Sequence, residues 1–292
     1  MYCIKKYEEA CSVEHAINLL QTNANARLIA GGSDILIKVR EGKMQNAELI
    51  SIHRLPELQG IIKGEDGTIN IGSGTSFSHI AKHSLISQYV PVLGEAADLV
   101  GGPQIRNIGT IGGNICNGVT SADSAPTLFA LNAQLRIQGP SGTRITAIQD
   151  FYQGPGQVDL GHAEVLTAIL ITPENYQGFG GCYVKYAMRS AMDIATLGCA
   201  ALCRLQNEKI VADFRLALGV AGPIPLRCLK TEEFVKGKIF SEDLLQQIGV
   251  RAAAEVNPRT SWRASREFRL HLVTELSRRV FKQAFAKAGG EI

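Results

Sequence analysis

Two short segments carry the residue types from which an anion site is built. One is Arg27-Leu28-Ile29-Ala30-Gly31-Gly32-Ser33-Asp34; the other is Gly109-Thr110-Ile111-Gly112-Gly113-Asn114, the end of a longer run that starts at Gly101. A glycine pair at a strand end bares two backbone N–H groups with no side chain in the way, which suits a phosphate oxygen. Two such pairs predict a clamp on the diphosphate of a dinucleotide, one from each side. Asn114, Asn117, Thr120, Ser121 and Asp123 follow the second pair and offer hydrogen-bonding groups for a ribose or, equally, for backbone caps. Asp123 opens a predicted helix, so N-capping is a competing use of its carboxylate.

Other chemistries fit less well. Gly72-Ser73-Gly74-Thr75-Ser76-Phe77 begins like a Rossmann fingerprint but has Phe77 where the third glycine belongs, and no glycine-rich stretch ends in the Lys-Ser/Thr of a P-loop. His79 and His83 have the i, i+4 spacing of two zinc ligands, yet Ile80 stands where a zinc protease carries its glutamate, so no metal site is expected. The chain has no Gly-x-Ser-x-Gly elbow. Cys199 and Cys203 sit in an apolar run and read as small core residues. Arg259, Arg263, Arg266 and Arg269 could bind phosphate or a partner's carboxylate, or form a solvated helix face.

Composition narrows the class further. In 292 residues, 30 Lys and Arg stand against 27 Asp and Glu with no long block of either sign, so neither nucleic acid nor an anionic membrane is an expected partner. The seven cysteines are scattered and never in a Cys-x-x-Cys pair, which argues against disulfides and zinc ribbons. Met1-Tyr2-Cys3-Ile4-Lys5-Lys6 has no leader pattern and the apolar stretches are short of a membrane span; a cytoplasmic protein is expected.

The elements that must position these residues follow from periodicity. Val13, Ala16, Ile17 and Leu20 fall on one helical face behind Ser12 as N-cap. A strand 27–30, the first glycine turn, a helix 34–40 and a strand 48–52 form a βαβ-like unit. A hairpin pairs 61–63 with 68–71 across Gly64-Glu65-Asp66-Gly67. Helices are predicted over 77–83, 92–100 and 122–131, and strands near 135–137 and 144–146. Glycines and Pro173 place a boundary over 172–181. Beyond it come strands at 182–187, 195–205 and 214–220, then helices 241–255 and 265–286, an α+β pattern.

Taken in order, the two glycine segments, Gln104-Ile105-Arg106-Asn107-Ile108, Glu164-Val165-Leu166-Thr167 and Lys185-Tyr186-Ala187-Met188-Arg189 resemble the FAD-binding subunit of the molybdenum hydroxylase, or xanthine dehydrogenase, family. Length and motif order agree from end to end. Pro258-Arg259-Thr260-Ser261-Trp262-Arg263-Ala264-Ser265-Arg266-Glu267-Phe268-Arg269 is most similar to the separate flavoprotein subunit of bacterial members.

The resemblance implies an α+β fold: a vanillyl-alcohol-oxidase-type FAD-binding domain at 1–176, in subdomains of about 1–56 and 57–176, then a carbon monoxide dehydrogenase flavoprotein-like domain at 177–292. It implies that residues 27–34 and 109–114 hold the FAD diphosphate and ribityl regions, that Asp123 contacts the dinucleotide, and that Leu166 and Lys185 lie near the flavin or adenine. Implied partners are an iron-sulfur subunit with two [2Fe-2S] clusters and a molybdenum-cofactor subunit, with NAD+ as acceptor. A positive Lys185 near a reduced flavin would stabilise its anion. Two departures stand out: Val100 occupies the place of an aromatic residue in some animal members, and the chain lacks the cysteine-rich insertion that holds an extra cluster in 4-hydroxybenzoyl-CoA reductase flavoproteins. The alternatives are a self-contained FAD-dependent oxidoreductase of the same fold and a scaffold that has lost FAD.

Overall fold

The computed structural model describes residues 3–206 and 209–292; Met1 and Tyr2, at the expected N-terminus, and Asn207 and Glu208 lie outside the described residues. The first lobe is a small parallel sheet in the order Ile4–Glu9, Ala47–Ser51, Ala26–Ile29. Helix Val13–Thr22 crosses between its outer strands, with the Ser12 hydroxyl accepting the His15 N–H at 2.9 Å and Val13, Ala16, Ile17 and Leu20 buried. Helix Ile35–Arg40 follows the first glycine pair, so the strand, glycine turn and helix form the unit read from the sequence. The edge strand Ile4–Glu9 was not anticipated. Its residues Ile-Lys-Lys-Tyr-Glu-Glu are almost all exposed and show no apolar alternation to mark them.

The second lobe is a five-stranded antiparallel sheet ordered Ile61–Lys63, Ile69–Gly72, Val165–Ile171, Gln134–Gly139, Gly142–Ala147. Its central strand, Val165–Ile171, is buried at all but one position and joins chain segments far apart in sequence. Helices Phe77–Lys82, Ser84–Tyr89, Pro91–Asp98 and Ser124–Ala130 cover it. The Ile61–Lys63 hairpin turns through Gly67, whose φ of +84° an L side chain rarely adopts.

The C-terminal sheet is antiparallel, ordered Phe179–Tyr186, Leu197–Leu205, Val211–Gly219, Leu226–Arg227. Both faces are buried, which explains its continuous apolar strands. Cys199, Ala201, Cys203, Leu216 and Leu218 face helices Glu242–Ala254 and Arg266–Lys287. The alternate residues Ala200, Leu202 and Ala217, with Tyr183, face the second lobe instead. All seven cysteines are free, and Cys199 and Cys203 are core residues. Among the described residues no helix is long and apolar enough to cross a membrane.

Candidate functional site: a cleft between the two N-terminal lobes

A cleft of about 670 Å³ lies between the first and second lobes, within the size range of small-molecule and cofactor sites. The first lobe contributes Arg27, Leu28, Ala30, Gly31, Gly32, Ser33, Asp34 and Ile35. The second contributes Gly109, Thr110, Gly112, Gly113, Asn114, Val165 and Leu166. Thirteen of the site residues named from the sequence line this cleft, among other lining residues that were not named. Ile29 and Ile111 are exceptions: neither lines the cleft, because each is buried, Ile29 with Val39 and Leu49, Ile111 in the second lobe's core.

The first wall is the anion-binding one. After strand Ala26–Ile29 ends, Gly32 turns the chain at φ +76°. The backbone N–H groups of Gly31, Gly32, Ser33 and Asp34 then donate to no acceptor among the described residues, although they line the cleft. A run of unpaired N–H groups around a concave turn is a nest for an anion. Gly31 also closes the cleft floor. A Cβ there would overlap the carbonyl oxygen of Ile108, so the two glycine segments meet backbone to backbone.

The second glycine pair works differently from its sequence reading. Gly112 and Gly113 do not end a strand; they form the first turn of helix Ile111–Cys116, capped by Thr110. Their N–H groups are taken: Gly112 donates to the Ser73 carbonyl at 2.8 Å and Gly113 to the Thr110 hydroxyl at 3.1 Å. These glycines serve close packing. A Cβ on Gly112 would lie 2.7 Å from the Ser73 oxygen. What this wall offers a ligand is the surface of Gly113 and Asn114, whose amide oxygen accepts from Ser124 at 2.8 Å. The Asn114 NH₂ remains to serve the cleft.

Asp123 and Lys185 are not among the lining residues; they pair with each other at 2.8 Å with both side chains about nine-tenths buried. Tyr183 donates to the other Asp123 oxygen at 2.9 Å, and Lys185 also reaches the Leu99 carbonyl at 2.9 Å. Asp123 makes no side-chain cap on helix Ser124–Ala130, so capping is not what holds it. Burial pushes its carboxyl above the ordinary value, against the pull of Lys185 and Tyr183. Lys185 ties down Leu99, next to Val100 on the cleft wall.

Asn117, one of the polar residues noted after the second glycine pair, lines the wall, while Ser73, Gly74, Phe77, Lys38, His162 and Glu164 were not given as site residues. The failed Rossmann pattern at Gly72-Ser73-Gly74 was the signal available for Ser73 and Gly74. His162 Nε2 donates to the carbonyls of Leu20 and Asn23, both at 3.0 Å, joining the second lobe to the end of helix Val13–Thr22. Arg144 grips Glu164 through Nε and Nη2, both at 2.8 Å, and holds its carboxyl below the usual range. The other candidates took structural parts. His79 and His83 stack at 5.2 Å, and the His83 ring caps the next helix through the Leu85 N–H. Arg269 is buried and donates to the carbonyls of Thr196 and Arg259 and to the Ser261 hydroxyl, while Arg266 lies on the exposed face.

The site fits an extended anionic dinucleotide: a nest bare of side chains on one wall, hydrogen-bonding groups on the other, apolar Phe77, Val100 and Leu166 between. Comparison with known proteins agrees. The family model described as the FAD binding domain in molybdopterin dehydrogenase matches residues 3–173, and that of the CO dehydrogenase flavoprotein C-terminal domain matches residues 182–284. The chain is 44% identical over 292 residues to the xanthine dehydrogenase FAD-binding subunit of Escherichia coli O157:H7, covering 100% of both chains. It is 31% identical to the carbon monoxide dehydrogenase medium chain of Hydrogenophaga pseudoflava, over 97% of each. A solved carbon monoxide dehydrogenase from Hydrogenophaga pseudoflava superposes with a TM-score of 0.93 at 30% identity, covering 98% of this chain and 99% of the other. With this cleft and these matches along its length, the chain belongs to the molybdenum hydroxylase flavoproteins, as a FAD-binding oxidoreductase subunit of the xanthine dehydrogenase type.

Proposed function

We propose that the chain is the electron-transfer subunit of a cytoplasmic hydroxylase complex acting on a purine or related N-heterocycle. Its partners in this reading are a molybdenum-cofactor subunit, where substrate is hydroxylated, and an iron-sulfur subunit whose two [2Fe-2S] clusters deliver the electrons. NAD+ is the proposed final acceptor. FAD supplies the junction, since it exchanges electrons one or two at a time. The similarity to the xanthine dehydrogenase subunit supports the substrate class and the division of labour.

The chain's own residues bind and orient. The N–H groups of Gly31, Gly32, Ser33 and Asp34 would hold the diphosphate, and Asn114 the neighbouring polar part. Phe77, Val100, Val165 and Leu166 would keep water from the ring system. Asp123 and Lys185 are proposed to flank the flavin end. Because they form an ion pair, they present little net charge there.

The observation that carries this reading is an unpaired N–H nest that shares one cleft with the apolar Phe77, Val100 and Leu166. The visible spectrum of the purified chain tests it: a yellow protein that releases FAD is expected, whereas a colourless one that takes up no added FAD would overturn it. A tagged chain should also bring down molybdenum and iron-sulfur subunits from its own cell.

A further inference from the structure

Lys38 stands on the cleft wall one helical turn beyond the nest, on helix Ile35–Arg40, with its backbone N–H donating to the Asp34 carbonyl at 3.2 Å. Its ammonium donates to the Asn117 amide oxygen at 3.2 Å, across the cleft from one lobe to the other. Asn117 is itself a lining residue. Among the described residues no carboxylate pairs with Lys38, and the other basic side chains of the wall are turned onto backbone carbonyls. Arg27 turns Nη1 onto the carbonyls of Ala24 and Ala26, and His162 binds those of Leu20 and Asn23. Of the two acids on the wall, Glu164 is already held by Arg144, while Asp34 meets only the Ser33 hydroxyl at 3.5 Å and is in no ion pair among the described residues.

The backbone N–H groups of the nest supply hydrogen bonds to a diphosphate but no formal charge to balance its roughly two negative ones, and the only side-chain charge within the nest segment, that of Asp34, has the same sign as the diphosphate. We propose that Lys38 is a further dinucleotide-binding residue, a cation that Asn117 holds over the cleft so that it neutralises the diphosphate seated on Gly31–Asp34. A lysine suits this part because a compact ammonium on a flexible stem can leave a neutral amide for an anion at small cost. The inference rests on the reading of the cleft as the FAD site.

The test compares the flavin-depleted full chain with Lys38→Met, Lys38→Arg and Asn117→Ala, titrating FAD at low and high salt and competing it with ADP. Lys38→Met should weaken FAD and ADP about tenfold at low salt, the typical worth of one hydrogen bond to a charged group. The loss should shrink at high salt, where ions screen the contact. Lys38→Arg should restore most of the affinity, and Asn117→Ala should keep the salt dependence of the parent. Lys38→Met with unchanged affinity and salt dependence would overturn the proposal. So would equal, salt-independent losses in Lys38→Met and Asn117→Ala, which would make the contact a clasp between lobes. If the parent chain binds neither FAD nor ADP, the reading of the cleft itself falls, and this inference with it.

Discussion

Gly31 and Gly42 show that a glycine has different causes at different sites. Gly31 has no room for a side chain because the Ile108 carbonyl fills the space, and neither backbone can yield without opening the cleft floor. Gly42 has φ +73° and nothing within 4 Å of its missing Cβ, so alanine there meets only backbone strain. Gly42→Ala should therefore cost about 1 kcal/mol, and Gly31→Ala more, in the range of about 1–3 kcal/mol or above for overpacking, together with most FAD binding. Thermal melts and flavin content of both variants check this; equal effects would show that the floor contact is soft. Both glycine pairs were legible as special in the sequence, but their division of labour was not. The acceptors that occupy the second pair are the Ser73 carbonyl, distant along the chain, and the Thr110 hydroxyl, and only the folded backbone selects them.

Between elements, the tie of greatest consequence joins the start of helix Ser124–Ala130 to strand Phe179–Tyr186 through Asp123, Lys185 and Tyr183. Breaking one side of a buried pair strands a charge, so Asp123→Asn or Lys185→Met should each cost about 3–5 kcal/mol, and the double variant less than their sum. A denaturant double-mutant cycle measures this, and simple additivity would mean the two do not interact. The Glu164–Arg144 grip makes a pH prediction. Its lowered carboxyl stabilises the fold above the ordinary glutamate range, and that contribution disappears as pH falls through the lowered value. Glu164→Gln should therefore flatten the acid limb of a melting-temperature profile, while a superimposable limb would count against the grip. Elements with strong periodicity, such as Val13–Thr22 and Arg266–Lys287, were readable to within a few residues. The exposed edge strand Ile4–Glu9 was not, because pairing with Ala47–Ser51 rather than its own pattern makes it a strand.

Across the whole molecule, the C-terminal sheet belongs to two cores at once. Ala200, Leu202 and Ala217 complete the second lobe's core, while Cys199, Ala201, Cys203, Leu216 and Leu218 seat the C-terminal helices. Two adjacent glycines allow this double contact. A Cβ on Gly180 would overlap the backbone at Ala284 and Ala288, and one on Gly181 would lie 2.9 Å from the Val92 Cβ. With one sheet between both cores, neither half can lose its packing without exposing the other's apolar face. The flavin-depleted chain should therefore unfold in one calorimetric transition whose van't Hoff and calorimetric enthalpies agree. FAD at about a hundred times its dissociation constant should stabilise that single transition by about 2.7 kcal/mol without splitting it. A chain truncated after residue 176 should fail to melt cooperatively, since helices Pro91–Asp98 and Ser124–Ala130 would lose the surface they cover. Two resolved endotherms in the full chain, or a truncated chain that melts sharply and still binds FAD, would show that the shared sheet does not couple the halves.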